Sequence, residues 1–429
     1  MKIRYRTFIT LLSVSTLTGH LLTSPVGAQT LNDVVRRNTP DAIQVSDRNG
    51  RPLAADGMAS LNYIPASRVN GQKAVNLSLR PDIEEILKQE LQRSIQKYEA
   101  KSGFAYILDV RTGELVALAD GPITPEHARS SSSDEVPFNR VSEGVYEFGQ
   151  AAKIITTAMA LDSGEYSLST PLDLKNPVKI GKFSISDSVL KMRTMSVEEA
   201  FLHSSNIAAA QTVLKLGKEK QFKFLEALGL TKKLDIDLLV STEPVVPSEW
   251  GTLNSVTISF GHGIAISPIQ VGVAVAALVN GGVFHKPRLT PSTGQPINET
   301  RVVTERTSAN IRHLLRQDVI AGSGQQAAVP GLSVGGKSGT SEKVVNGAYN
   351  KDRLFTSFIA VFPIEEPRYL VMTALDEPKP SKDTYGFATA GWNAAPLAGN
   401  IIRRVAPALG IGRDNHNDDD LTTSSMSKQ

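Results

Sequence analysis

Strand-like runs sit at both ends of this 429-residue chain, with helical patterns between them. Near the start, Phe104–Val110 and Leu115–Ala119 are apolar and rich in β-formers, joined by a turn at Arg111-Thr112-Gly113-Glu114. Near the end, Leu354–Phe362 and Arg368–Leu375 read the same way, joined by Pro363-Ile364-Glu365-Glu366-Pro367. Four strands separated by a long helical stretch fit an α+β fold whose first and last segments pair in one antiparallel sheet. The 41% apolar and 21% charged composition is that of a globular protein, and the length allows one large domain or two medium ones.

The helical signals are local. Residues 82–98 place Ile83, Ile86, Leu87, Leu91 and Ile95 on one face. A helical run starts at Lys153. Ser196-Val197-Glu198-Glu199 has capping-box spacing, and so does Ser267-Pro268-Ile269-Gln270, whose helix should end at Asn280-Gly281-Gly282. A last helix is expected over roughly 388–406. Residues 121–142 read as loop, and order is expected to begin at Leu79, because residues 29–75 have no clear period. The Asn/Asp/Ser tail after Arg413 is expected to be disordered.

The N-terminus reads as an export signal. Lys2, Arg4 and Arg6 precede a short, interrupted apolar stretch from Phe8 to Leu22, and Val26 and Ala28 suit cleavage before Gln29. A membrane-spanning helix would need about 20 mostly apolar residues, so cleavage is the better reading than an uncleaved anchor. The whole chain carries +3, but removing the three basic residues of this leader leaves 43 basic against 43 acidic residues. Nucleic acid is therefore not an expected partner. With no cysteine, thiol catalysis, disulfides and a lipidated N-terminal Cys are excluded. The sequence shows neither a metal-ligand constellation nor a phosphate-cradling glycine motif, and no cofactor is expected.

Two short polar groups fall at element junctions. Ser204-Ser205-Asn206 follows the helix begun at Ser196, and Lys337-Ser338-Gly339-Thr340 opens a strand-like segment. Read alone, the first serves equally as a helix cap and the second as a surface turn. Their order is more informative. Ser-x-x-Lys, then Ser-x-Asn, then Lys-Thr/Ser-Gly is the signature of the penicillin-recognising acyl enzymes.

Around these elements the chain resembles the transpeptidase domain of the class B penicillin-binding proteins of bacterial division and elongation. The resemblance is dense in GVYEFGQAAKIITTAMALD, TMSVEEAFLHSSNIAAAQ, SFGHGIAISPIQVGVAVAALVNGG and VGGKSGTSEK, and runs from about Leu79 to Leu409. It implies a serine β-lactamase-like fold: an antiparallel sheet of about five strands sandwiched by helices, plus an all-helical lobe. Joined to the leader and tail read above, it gives the expected organisation: a signal peptide over 1–28, a short pedestal remnant over 29–78, the transpeptidase-like domain over 79–410, and a disordered tail over 411–429.

In that family a serine attacks the penultimate D-Ala carbonyl of a peptidoglycan stem peptide, and a lysine one helical turn later takes its proton. Carried over by motif, Lys153 is the base-position lysine, Ser204 the relay serine, and Asn206 the residue that holds substrate and lysine. Lys337 and Ser338, with Gly339 and Thr340, would meet the terminal carboxylate of D-Ala-D-Ala or of a β-lactam. The backbone N–H groups of residues 150 and 340 would form the oxyanion hole.

One position departs from the pattern. Where the family has Gly-Ser-x-x-Lys, this chain reads Gly149-Gln150-Ala151-Ala152-Lys153. An amide cannot become an alkoxide nucleophile. Ser-x-x-Lys recurs at Ser94–Lys97, Ser188–Lys191 and Ser425–Lys428, none in the family context. Thr156 and Thr157 are expected to serve helix packing, and His262 and His203 to be hydrogen-bonded turn residues. Without a serine to deprotonate, Lys153 is expected to pair with Asn206 and the Gln150 carbonyl oxygen. The expectation is an exported homologue, periplasmic or membrane-associated, catalytically impaired. It would bind stem peptide non-covalently or bind a wall-synthesis or division protein. The alternative is an active transpeptidase or carboxypeptidase that uses another nucleophile.

Overall fold

The computed structural model describes residues 30–36, 43–53, 58–122, 137–187, 193–292 and 300–412. The expected leader, most of the loop at 121–142, the Ser188–Lys191 and Ser425–Lys428 pairs and the expected tail after 412 lie outside these residues.

Five strands carry the fold: β1 (Ser102–Asp109), β2 (Leu115–Gly121), β3 (Gly335–Val345), β4 (Ala348–Phe362) and β5 (Tyr369–Asp376). They form one antiparallel sheet in the order β3-β4-β5-β1-β2. The last strand pairs with the first, from Tyr369 opposite Asp109 to Asp376 opposite Ser102, as the terminal strand signals require.

Alternation along each strand splits its side chains between two cores. Phe104, Tyr106 and Leu108 enter one core, and Ala105 and Ile107 the other. On β5, Leu370 and Met372 face the first core, and Val371 and Leu375 the second. Both faces are covered by helices, so these strands read as nearly continuous apolar runs.

The principal helices are α1 (Pro81–Lys97), α2 (Lys153–Asp162), α3 (Val197–Leu202), α4 (Asn206–Leu216), α5 (Lys218–Ala227), α6 (Thr252–Ser259), α7 (Pro268–Val279), α8 (Glu305–Ala321) and α9 (Ala394–Val405). Helices α1 and α9 supply Ile83, Leu87, Leu397 and Ile401 to the second core. Helices α2, α7 and α8 supply Ile154, Ile269 and Leu314 to the first, which extends into the lobe built from α3 to α6. Both capping boxes form, Ser196 with Glu199 and Ser267 with Gln270. Among the described residues no helix is long and apolar enough to cross a membrane.

Two expectations need correction. Helix α9 starts at Ala394 rather than near 388, because a 3-10 turn occupies Ala390–Trp392 and the Asn393 side chain caps Ala394 N–H at 2.7 Å. Order also begins before Leu79. Leu31–Arg36 is helical, and Gln44–Ser46 pairs in parallel with Ala74–Asn76. Leu31, Leu61, Ile64 and Leu77 are buried in the first core. These apolar residues sit singly among short turns, so they produce no period that a sequence window can detect.

Helix α7 lies so close to β1 that a side chain has no room. Tyr106 Oη donates to Pro268 O at 2.8 Å, and a Cβ at Gly272 would stand 2.0 Å from that hydroxyl oxygen. Gly272→Ala is expected to cost about 1–3 kcal/mol by overpacking, read from urea unfolding midpoints at unchanged slope.

Candidate active site

The site forms where the turn before α2, the start of α4 and strand β3 meet. A 3-10 turn over Gly149–Ala152 leads into α2 and is wedged between β3 and the loop at 260–263. Gly149 has φ +51°, and a Cβ there would lie 2.2 Å from Thr340 O. Gly149 N–H donates to Gly261 O at 3.2 Å, and a Cβ on Gly261 would strike that same Gly149 backbone. Two glycines back to back are what allow three backbone segments to touch here.

Lys153, the first residue of α2, is buried at 4% exposure. Its Nζ donates to Asn206 Oδ1 at 2.6 Å and to Ser204 O. Burial, and after it the nearby Lys337 ammonium, lowers the Lys153 pKa to about 7, with Asp187 opposing. The expected pairing with the Gln150 carbonyl oxygen is not what forms. The second acceptor is the Ser204 backbone carbonyl, at a residue held left-handed (φ +55°) where α3 ends. The half-buried Gln150 side chain makes no hydrogen bond to a described residue.

Ser204 Oγ is buried and has no hydrogen-bond partner among the described residues. Ser205, not Ser204, caps α4 by accepting from Ala208 N–H at 3.0 Å. Asp187 anchors the same corner, accepting from Ser205 Oγ at 2.6 Å and Asn206 N–H at 2.5 Å. Asp187 had no sequence signal, since it is a lone carboxylate nineteen residues from Asn206.

Lys337 and Ser338 are already engaged. Lys337 is fully buried, donating to Asp318 Oδ1 of α8 at 2.6 Å and to Phe201 O at 3.1 Å, with its ammonium 4.7 Å from the centre of the Phe201 ring. Burial raises the Asp318 carboxyl, and Lys337 opposes the rise. Ser338 Oγ sits 2.7 Å from Ser323 Oγ. Gly339 lets β3 pass close under Phe148 O, 2.4 Å from where its Cβ would be. Thr340 Oγ1 accepts from Ala390 N–H at 3.0 Å. Asp318 and Ser323 are further residues that sequence reasoning missed.

Glu147 is the remaining missed residue. Its carboxylate accepts from Gly263 N–H at 2.8 Å and from Tyr349 Oη at 3.1 Å, and meets His262 Nδ1 at 3.0 Å. Its backbone oxygen accepts from Ser341 Oγ at 2.6 Å. One residue thus ties the turn to β3, β4 and the 260–263 loop. His262 is a hydrogen-bonded turn residue, and His203 is exposed beside Arg193. Thr156 Oγ1 donates to Ser259 O, packing α2 on α6. Ser94 and Lys97 lie on α1, on the opposite face of the sheet.

Two outcomes are expected. Lys153 binds a proton in the unfolded chain that the folded chain does not hold between pH 7 and 10.5. Stability should therefore rise with pH across that window by at most about 1.4 kcal/mol per unit, and Lys153→Met should flatten the slope. Glu147→Ala should lower stability by about 2–4 kcal/mol, through several lost charge-assisted hydrogen bonds. Denaturant titrations at several pH values check the first, and a titration at one pH the second.

Comparison with known proteins places this geometry. The family model for the penicillin binding protein transpeptidase domain matches residues 103–403. The probable peptidoglycan D,D-transpeptidase FtsI of Caulobacter vibrioides is 35% identical over 378 residues, covering 86% of this chain and 64% of that protein. Stage V sporulation protein D of Bacillus subtilis is 31% identical over 360 residues, covering 79% and 54%. The chain thus spans between half and two thirds of these relatives' length. The apo transpeptidase domain of Burkholderia pseudomallei penicillin-binding protein 3 superposes with a TM-score of 0.69 at 27% identity, over 79% of this chain and 97% of that one. Penicillin binding protein 3 of Mycobacterium tuberculosis, complexed with ampicillin, superposes at 0.76 over 88% of this chain and 97% of that one; its 22% identity speaks for the fold alone.

Proposed function

This chain belongs to the penicillin-binding protein transpeptidase family, and we propose that it serves peptidoglycan synthesis or division by binding rather than by acyl transfer. The observation that carries this reading is Gln150, which stands three residues before the buried Lys153 where the family has its serine. An amide offers no hydroxyl for Lys153 to deprotonate. Loss of the nucleophile in a comparable serine enzyme costs on the order of 10^6 in rate, about 8 kcal/mol of barrier.

The rest of the cleft suits a ligand. Asn206 holds Lys153, and the Ser204 hydroxyl, buried without a partner among the described residues, would have to turn outward to meet a polar atom of a stem peptide ending in D-Ala-D-Ala, or of a β-lactam. The backbone N–H groups of residues 150 and 340 would face the ligand's carbonyl oxygen. Because Lys337 is already paired with Asp318, its part is to supply positive field from beneath β3. Ser338 and Thr340 would make the direct contacts to the terminal carboxylate. The N-terminal leader fits export to the extracytoplasmic side, where the cell wall and any wall-synthesis partner lie.

A second reading, a working D,D-transpeptidase or carboxypeptidase with another nucleophile, is favoured by one observation: Lys153 keeps the pKa near 7 that suits a general base. Fluorescent penicillin separates the two. No covalent adduct is expected on the purified protein, and Gln150→Ser should restore acylation. A stoichiometric adduct on the unaltered chain, located by peptide mass, overturns the binding-only reading. Calorimetry with a D-Ala-D-Ala stem peptide should detect non-covalent binding, and its absence removes the peptide as ligand.

A further inference from the structure

A cavity of about 450 Å³ lies between α1 and α9, on the face of the sheet opposite Lys153. Its wall carries four cations, Arg93 and Lys97 from α1 and Arg403 and Arg404 from α9, against a single carboxylate, Glu90. Glu90 is already taken. Arg93 and Arg404 both donate to its Oε1, at 2.7 and 2.6 Å, and Arg404 also reaches Gln89 Oε1 at 2.8 Å. Arg403 is held by Asn400 Oδ1 at 3.0 Å, a neutral partner. Lys97 has a carboxylate, Asp383, no nearer than 3.9 Å, and both side chains are more than half exposed.

The second observation is Ser94, one helical turn before Lys97. It is 7% exposed and lines the cavity, yet its hydroxyl hydrogen-bonds no described residue. A serine inside a helix ordinarily turns its hydroxyl back to the carbonyl four residues earlier, or out to water. This one faces the open cavity, beside Lys97 and Arg403, whose partners are a distant carboxylate and a neutral amide. Pro396, half-buried, gives the same cavity an apolar side.

We propose that this cavity binds a phosphorylated small molecule. The phosphate would sit against the Ser94 hydroxyl, the Lys97 ammonium and the Arg403 guanidinium, with the organic part against Pro396. A dianionic tetrahedral group offers enough acceptors for all three donors, and guanidinium and ammonium together suit it better than a single carboxylate. The volume falls in the range of small-ligand sites and exceeds what inorganic phosphate alone would fill. The site is independent of the acylation cleft and of the state of Gln150.

The test is calorimetry of the full chain with phenyl phosphate, inorganic phosphate and citrate at constant ionic strength. Phenyl phosphate should bind saturably at one equivalent and more tightly than inorganic phosphate. The K97Q/R403Q double variant should weaken it at least about tenfold and S94A a few-fold, while K223Q, on the exposed surface of α5, leaves it unchanged. Absence of saturable binding, equal binding of citrate, or equal affinity in the double variant overturns the proposal. Should the double variant fail to fold, S94A decides alone, and unchanged affinity there overturns it as well.

Discussion

Pairing of β5 with β1 joins residues as far apart as Ser102 and Asp376, 274 positions distant in the chain. Loop-closure entropy grows only logarithmically with that distance, so hydrogen bonds and burial on both faces of the two strands can offset it. Once the two ends are joined, the chain between β2 and β3 becomes one long excursion whose entry and exit are set by the sheet. The turn at 147–150 and the edge strand β3 are brought against each other by that constraint. Gly149, Gly261 and Gly339 then allow a separation no side chain would permit.

The same closure places two lysines in one interior. Lys337 reaches a carboxylate, Asp318, and stays paired, whereas Lys153 meets only an amide oxygen and a backbone carbonyl. The asymmetry sets their chemistry. A buried ammonium with neutral acceptors and a cationic neighbour is driven toward its neutral form, as Lys153 is. A buried ion pair of this kind is weak evidence of stabilisation, since desolvation offsets much of the attraction. What it does provide is a fixed positive centre beneath β3. The site is therefore polar and held by buried hydrogen bonds, with Gln150 three residues ahead of Lys153.

Much of this is legible in the sequence. The terminal strands, the two capping boxes, the start of α2 at Lys153 and the sequence order of the site motifs all follow from covalent spacing and short-range periodicity. The residues that complete the site were not legible. Asp187, Asp318, Ser323 and Glu147 carry no local pattern, and each acts on a partner that lies far away in sequence, closer in space. The ordered segments before Leu79 escaped for a related reason: their apolar residues are buried one at a time.

By itself the sequence determined that a strand-bounded α+β chain would form, that a lysine, a Ser-x-Asn and a Lys-Ser-Gly would follow in order, and that residue 150 would be glutamine. These are facts of covalent order, and folding cannot alter them. Tertiary structure alone decided which groups would be desolvated and with what partners. It gave Lys337 its carboxylate, turned Lys153 toward Ser204 O and buried the Ser204 hydroxyl without a partner among the described residues. Burial and charge proximity depend on which distant segments meet, and only the closed sheet settles that.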